Sequence, residues 1–274
     1  MSNREDRQRA FFHRRAVMSL SVAASTQALS ADLVFSLLER VRQKAPRVHT
    51  ITNAVAQSFT ANVLLALGAI PSMTIAREEV AAFAGGADAL LVNLGTLDEE
   101  RRAAIPLAME AAKKAGRPIC VDPVFVNRSP VRCAYARELL GSKPDLVRLN
   151  SEELAALLPE RADVDALIEA GTVFAVTGPE DRIESRGEDF LLRNGDPLMS
   201  RVTATGCAGG AVLAAFLSVE NDRALAAACG LSVFNIAGEI AASRAAGPGS
   251  LVPELLDALY SLTDRDIEAR LKTG

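Results

Sequence analysis

The chain has 274 residues, of which 49% are apolar, a composition that supports a sizeable buried core and is unlike that of a disordered chain. Its 30 basic and 34 acidic side chains give a formal net charge of −4. That balance lacks the basic excess that favours nucleic acid or anionic membranes, so we expect a small-molecule partner. Four cysteines without a C-x-x-C pair, and two histidines, give neither a zinc motif nor a disulfide framework.

The N-terminus has two interpretations. Arg14 and Arg15 precede an apolar, small-residue stretch, the order found in a secretory or twin-arginine signal. Serine and threonine interrupt that stretch, and Met18 could be the true start. We therefore predict that residues 1–30 are a disordered or loosely helical extension of a soluble, cytoplasmic protein with no membrane span.

From residue 32 onward, short apolar runs alternate with longer amphipathic segments, which indicates repeated βα units around a mostly parallel sheet. The predicted strands are 47–51, 70–74, 88–93, 118–122, 145–149 and 172–177. The predicted helices are 32–44, 54–67, 76–84, 98–115, 132–141, 151–158, 163–170, 207–219 and 222–245, followed by two closing helices after 247–250. Asn53 and Asp98 have the character of N-caps, and Gly68 and Gly116 that of C-terminal stops.

The segment 182–201 has a different pattern, typical of an antiparallel edge hairpin that turns near Arg186 and Gly187. We find no linker and no internal repeat in the sequence. Residues 31–274 are therefore predicted to form one domain.

Polar residues follow most of the predicted strands. Because ligands of open parallel sheets bind beyond the carboxyl ends of the strands, these residues are the first candidates for a site. They are Thr52, Asn53, Asn93, Gly95, Thr96, Asp122, Arg148, Asn150, Thr177 and Gly178. Each alone has a structural explanation as a cap or turn residue, but together on one edge they predict a polar site.

Two carboxylates near this edge suit Mg²⁺. Glu153 lies one turn into the helix that follows Arg148, and Asp122 follows the neighbouring strand. Magnesium takes few protein ligands and keeps several waters, so the two acids could share one ion. The alternative is a helix N-terminus with acids that suit its dipole.

The stretch "TATGC" places small residues and a glycine directly before an apolar helix. Free backbone N–H groups at the positive end of a helix dipole bind phosphate. Cys207 is then expected to be the first helical residue, where the pKa of a thiol tends to fall. His49 lies within a strand and is expected to be a core or interface residue, which disfavours a Cys–His covalent enzyme.

The ordered motifs "VHTITN", "LLALGAIPSM", "NLGTL", "VDPV", "RLNSEE", "AVTG" and "VTATGCAGGAV" resemble those of the hydroxyethylthiazole kinase family of the ribokinase-like superfamily. The resemblance implies a three-layer α/β/α ribokinase-like fold and a homotrimer with active sites between neighbouring subunits. It also implies phosphorylation of the primary alcohol of 4-methyl-5-(2-hydroxyethyl)thiazole in thiamine salvage, with ATP and Mg²⁺.

The resemblance also implies roles for individual residues. Cys207 matches the catalytic cysteine, which stands where related sugar kinases carry an aspartate base. The residues that match the thiazole pocket are Asn53, Met73 and Ala204. Those that match nucleotide contacts are Arg148 and Thr177, and those that match the acids associated with magnesium and phosphate are Asp122 and Glu153.

The sequence departs from the family pattern on the nucleotide side. Phe125 to Arg128 replace a run of small residues, Leu149 and Ala204 each replace a glycine, and the connection at 154–172 is shorter. We expect the bulk near Phe125 to reduce the room for substrate or phosphates, and Ala204 to restrict the backbone. Two alternatives therefore remain: a thiazole-binding relative with weakened catalysis, or a ribokinase-like enzyme acting on another small alcohol.

Overall fold

The computed structural model describes residues 29–274, so the predicted N-terminal extension and the alternative of an export signal lie, except for the last two residues, outside the described residues. The strands are β1 Arg47–Ile51, β2 Ile70–Ser72, β3 Ala89–Asn93, β4 Ile119–Asp122, β5 Leu146–Asn150, β6 Val173–Thr177, β7 Asp181–Glu184 and β8 Phe190–Leu192. The helices are α1 Ala31–Lys44, α2 Gln57–Leu67, α3 Val80–Gly86, α4 Glu99–Lys114, α5 Pro130–Leu140, α6 Ser151–Leu157, α7 Arg161–Glu169, α8 Thr205–Leu217, α9 Arg223–Arg244, α10 Pro248–Ser261 and α11 Asp264–Arg270. Two short 3₁₀ helices, Ala54–Ala56 and Pro197–Arg201, precede α2 and α8.

The strands form one eight-stranded sheet in the order β2-β1-β3-β4-β5-β6-β7-β8. Strands β1 to β6 pair in parallel, whereas β7 and β8 are antiparallel at one edge. This confirms the predicted mostly parallel sheet and its antiparallel edge hairpin. Strand β2 forms the opposite edge.

Helices cover both faces of the sheet, which confirms the three-layer α/β/α fold. Alternate strand residues supply two separate cores, as the period of two requires. On β3, for example, Leu91 belongs to the core formed with α1, α2, α8 and α9, whereas Leu90 and Val92 belong to the core formed with α4 and α5. The first of these two cores is the larger, and it holds the helix that carries the expected phosphate site.

Helix α9 is long and apolar enough to cross a membrane, but 83% of its most apolar window is buried inside the protein. Its neighbours are α8, α10 and α1, so its apolar character reflects burial on nearly all sides. The helix is thus a core element of the fold.

Most predicted boundaries agree with the structure to within one or two residues. Helix α3 is the main exception: residues 76–79 form a turn, and the helix begins only at Val80. The expectation that α8 begins at Cys207 is also wrong, because the helix begins at Thr205 and Cys207 is its third residue. Asn53 and Asp98 are confirmed as caps, and Gly68, at φ 98°, ends α2.

Ala204 directly precedes α8 with φ 72°, in the left-handed region. This conformation brings the Cβ of an L-residue close to its own carbonyl oxygen, a contact that glycine avoids. The expectation that alanine restricts the backbone here therefore has a structural basis.

We predict that Ala204→Gly raises the free energy of unfolding by about 1 kcal/mol, since relief of the left-handed strain outweighs the added freedom of the unfolded chain. Urea denaturation would measure it. In the interior of α4, Ala103→Gly should instead destabilise the protein by about 1 kcal/mol. If both substitutions destabilise the protein equally, Ala204 is not strained.

His49 lies on β1 with no exposed surface, and its Nδ1 is 2.9 Å from Ser72 Oγ on β2. Burial lowers the pKa of His49 from 6.5 to about 4, because the charged imidazolium would lose its hydration. The residue is thus a core histidine, as expected.

A pH effect on stability follows. Between pH 6.5 and about 4 the unfolded chain binds a proton at His49 that the folded chain does not, so the contribution of His49 to stability falls as pH is lowered through this window. The full shift corresponds to about 3 kcal/mol. We expect His49→Gln to make the slope of unfolding free energy against pH less positive than that of the wild type in this range. Parallel slopes for the two proteins would contradict this assignment.

Candidate active site

Polar residues lie at the carboxyl ends of five neighbouring parallel strands, along the edge of the sheet that these strand ends form. Because β1, β3, β4, β5 and β6 are adjacent and parallel, their carboxyl ends share that edge. The residues placed there are Asn53, Asn93, Asp122, Asn150 and Thr177. The predicted common edge is therefore confirmed, while the chemical roles of these residues remain predictions.

A buried hydrogen-bonded cluster lies at the centre of this edge. Asn93 and Asp122 are paired in register on β3 and β4, and Asn93 Nδ2 donates to Asp122 Oδ2 over 3.0 Å. Asn93 Oδ1 accepts from the backbone N–H of Gly95 over 3.0 Å. Arg148 Nη1 lies 3.6 Å from Asp122 Oδ2 and supplies the opposite charge. The amide and the guanidinium thus compensate one buried carboxylate oxygen.

Asp122 keeps one oxygen unsatisfied. Its side chain has essentially no exposed surface, and Oδ1 has no hydrogen-bond partner among the described residues. Burial raises the pKa of Asp122 to about 6, with Glu153 adding to the rise and Arg148 and Asn93 opposing it. A buried, partnerless carboxylate oxygen is costly unless something binds it.

The N-terminus of α8 lies directly over this cluster. A Cβ on Gly206 would come within 2.9 Å of Arg148 Nη1, and one on Gly210 within 3.3 Å of Asp122 Oδ2. Both glycines therefore allow the helix to approach the charged groups closely. The N–H of Ala208 donates to Ala204 O over 2.9 Å, and it is the first N–H of this turn that has a backbone acceptor. The N–H groups of the preceding three residues are the free donors of the helix start.

Cys207 lies in this first turn, close to Asp122 and Asn93. The sequence led us to expect a lowered thiol pKa, but burial and then the negative charge of Asp122 raise the pKa of Cys207 to about 11, while Asn93 and Arg148 act in the opposite direction. The side chain is only 7% exposed. Loss of hydration outweighs the helix dipole, so Cys207 is a neutral thiol at pH 7.

A cavity of about 610 Å³ opens beside the start of α8. The predicted nucleotide residues Arg148 and Thr177 line it, together with Thr205 and Gly206. Apolar side chains complete the wall: Leu231 and Phe234 from α9, Pro197 and Met199 from the 3₁₀ helix before α8, and Pro179 from the turn between β6 and β7. The combination of free helix N–H groups, a guanidinium and an apolar wall suits a nucleoside phosphate.

One side of this cavity depends on the end of the chain. Asn194 Nδ2 donates to Glu239 Oε1 over 3.1 Å, and Asn194 Oδ1 accepts from the backbone N–H of Lys272 over 2.8 Å. Lys272 Nζ donates to Glu239 Oε1 over 2.9 Å, and Thr273 bridges to Leu192 of β8. The loop after β8 is thereby held in place.

Glu153 stabilises the N-terminus of α6, which is the structural role that the sequence offered as the alternative to metal binding. Its Oε1 accepts from the Phe125 N–H over 2.7 Å and its Oε2 from the Asn150 N–H over 3.0 Å, while its own N–H donates to Asn150 Oδ1. This is a capping box at the start of α6. Within residues 29–274 no group of three or more His, Cys, Asp or Glu side chains is placed to hold a metal.

The residues predicted for the thiazole pocket lie apart from the cavity. Asn53 follows β1, where its Oδ1 accepts from Val55 N–H and from Thr96 Oγ1. Met73 follows the edge strand β2, three strand spacings or roughly 14 Å from the end of β4. Neither residue lines the cavity described above, whereas Ala204 directly precedes two residues that do. One copy of the chain thus does not bring Met73 to Cys207.

The departures from the family pattern leave the cavity open. The side chain of Phe125 is 57% exposed, and residues 125–128 do not line the cavity. Leu149 has no exposed surface and packs in the core on the opposite face from α8. The expected loss of room is not seen in this cavity.

Two residues of the site were not predicted from the sequence as functional. Asn93 was a candidate at the predicted polar edge, and the structure shows that it joins Asp122 to the loop at Gly95. Asp181 and Asn235 lie in the cavity wall. An asparagine inside the otherwise apolar stretch "LSVFNIAG" was the available signal for Asn235.

Comparisons with known proteins agree with this geometry. The sequence model of the Hydroxyethylthiazole kinase family matches residues 38–265. A probable hydroxyethylthiazole kinase of Agrobacterium fabrum strain C58 is 47% identical over 231 residues, which cover 84% of this chain and 90% of that protein. The structure of the hydroxyethylthiazole kinase protein from Pyrococcus horikoshii OT3 is similar with a TM-score of 0.82 and 36% identity, covering 89% of this chain and 98% of the other.

A more distant structure shows the fold alone. A ribokinase-like superfamily protein from Enterococcus faecalis V583 matches with a TM-score of 0.62 at 14% identity, covering 84% of this chain and 94% of that one. The family match, the close relatives and the arrangement of the sheet edge agree with one another. The chain belongs to the hydroxyethylthiazole kinase family.

Proposed function

We propose that this hydroxyethylthiazole kinase transfers the γ-phosphoryl group of ATP to the primary alcohol of 4-methyl-5-(2-hydroxyethyl)thiazole at the N-terminus of α8. The observation that carries the proposal is that the free N–H groups of this helix, Arg148 and Cys207 meet around one buried carboxylate, Asp122. Anion donors, a cation and an acceptor-side group are the parts that phosphoryl transfer needs.

The nucleotide is proposed to bind in the cavity of about 610 Å³. Arg148 and the helix N–H groups bind phosphate oxygens, and Thr177 contacts the nucleotide beside them. Because the donors are fixed by the sheet and by α8, they need little rearrangement as charge moves toward the leaving phosphate.

Asp122 is the residue best suited to hold Mg²⁺, since its Oδ1 is buried without a partner. Glu153 would act through water, because both of its oxygens already accept backbone N–H groups. When bound, the ion supplies neutralisation of phosphate charge. Burial of Asp122 keeps its carboxylate in place at the junction of β3, β4 and β5.

Cys207 is proposed to lie beside the acceptor oxygen. A neutral thiol is a weak base, so the alcohol keeps its proton until the bond from phosphorus to ADP is largely broken and the new O–P bond is advanced, as a loose transition state permits. The proton then passes to an oxygen of the transferred phosphoryl group. Most of the rate enhancement then comes from positioning and charge stabilisation. Ala204 would shape the acceptor side from the turn before α8.

Asn53 and Met73 are proposed to belong to the thiazole pocket, with Met73 supplied by a neighbouring subunit of a homotrimer. The edge of β2 supports an interface. Ile70 is 50% exposed there, and it lines a surface cavity of about 420 Å³ together with Pro71, Ala82 and Phe83. Apolar side chains beside an unpaired strand edge favour association. A cytoplasmic location accords with the buried free cysteines.

We predict that wild-type protein converts the thiazole alcohol, with ATP and Mg²⁺, to a phosphate ester detectable by mass spectrometry. Cys207→Ala should lower kcat by about tenfold and leave the KM for ATP unchanged, because the thiol positions the acceptor without acting as a full base. Cys229→Ala, in the buried core of α9, is the matched control and should keep wild-type kcat.

Two results would contradict these roles. If the wild-type protein forms no phosphate ester, the proposed reaction is wrong. If Cys207→Ala retains full kcat and thiazole KM, the cysteine has no role at the acceptor.

We predict that Ile70→Glu dissociates the trimer, because a carboxylate would be buried without a partner in the interface. Light scattering after size exclusion would measure the mass. Tyr260, 78% exposed on α10, provides the control Tyr260→Glu, which should remain trimeric. A monomeric wild type, or a trimeric Ile70→Glu, would argue against this interface.

A further inference from the structure

The wall of the nucleotide cavity contains a buried amide that the phosphate chemistry does not use. Asn235 lies on α9, next to Phe234 and one turn beyond Leu231. It is only 9% exposed and lines the cavity among apolar side chains. A polar group at such a position is expected to have hydrogen-bond partners.

The orientation of this amide is fixed from behind. Asn235 Nδ2 donates to Asp181 Oδ2 over 2.7 Å, and Asp181 Oδ1 accepts from the backbone N–H of Gly178 over 2.9 Å. Both carboxylate oxygens therefore hold an N–H donor. If the amide were turned over, its oxygen would face the carboxylate, two acceptors in contact.

The amide oxygen of Asn235 consequently points away from Asp181. This oxygen has no hydrogen-bond partner among residues 29–274, and it is not completely buried, so it keeps some accessible surface. The residue lines the cavity, so a ligand bound there is the partner available to this oxygen. The other asparagine in the cavity wall, Asn194, is already engaged by Glu239, Arg270 and Lys272.

We propose that Asn235 is the residue that selects the nucleobase, by accepting the 6-amino N–H of adenine through its Oδ1. The proposal rests on the proposed function in that the cavity binds a nucleoside triphosphate. A flat base fits against Leu231, Phe234 and Met199, and a fixed acceptor at its edge favours an amino group. A purine with an oxygen at position 6 would place acceptor against acceptor, leaving both unpaired.

Binding of ADP and IDP, which differ in the group at position 6 and in the proton that hypoxanthine carries on N1, tests this without requiring turnover. By titration calorimetry with Mg²⁺, wild-type protein should bind ADP about tenfold more tightly than IDP, or more, since each tenfold is about 1.4 kcal/mol. Asn235→Leu should bind the two within about twofold of each other, through weaker ADP binding. Leu231→Ala, the matched control, should weaken both nucleotides while it retains the preference.

A second variant keeps the test decisive if Asn235→Leu does not fold. Asp181→Asn preserves volume but frees the Asn235 amide to turn, so the preference for ADP should shrink. Equal binding of ADP and IDP by the wild type, or an unchanged preference in both Asn235→Leu and Asp181→Asn, would overturn this inference and leave the kinase function standing. Failure of the wild type to bind either nucleotide would overturn the proposed function, and this inference with it.

Discussion

The site depends on one buried carboxylate and the groups that make its burial tolerable. Asp122 lies under α8 at the carboxyl end of β4, where its isolated charge would be strongly disfavoured. Asn93 from β3 and Arg148 from β5 approach the same oxygen from both sides, so the order of the sheet itself brings the compensating groups together. Gly206 and Gly210 then let the helix lie close enough for its N–H groups and its thiol to share the same space.

Much of the fold follows from local sequence, because parallel strands buried on both faces leave short apolar runs between amphipathic helices. The start of α3 was misplaced because residues 76–79 have a helical composition but form a turn. The start of α8 was misplaced because glycine at 206 suggested a loop, whereas Ala204 takes the left-handed position that begins the helix. Such choices depend on the surrounding packing and not on local propensity alone.

The site was predictable in its parts and less so in its electrostatics. The polar residues at the strand ends could be identified from the parallel-sheet rule and the motifs. The protonation of Cys207 could not, because the helix dipole is visible in sequence while the degree of burial is not. The pairing of Asp181 with Asn235 spans 54 positions and arises only when α9 packs beside β7. Leu149 and Phe125 led to the opposite error, because the sequence made them candidates for narrowing the site. Leu149 is buried in the core on the other face of the sheet, and Phe125 is exposed and does not line the cavity.

The closing residues of the chain form part of the cavity's support. Lys272 and Thr273 hold Asn194 and Leu192, and with them the loop that leads to Met199. Gly274 also donates its N–H to Leu191 O over 3.0 Å, so residues 272–274 are bonded to the β8 edge of the sheet. Displacing these residues would loosen one wall of the cavity from outside, although none of them lines it.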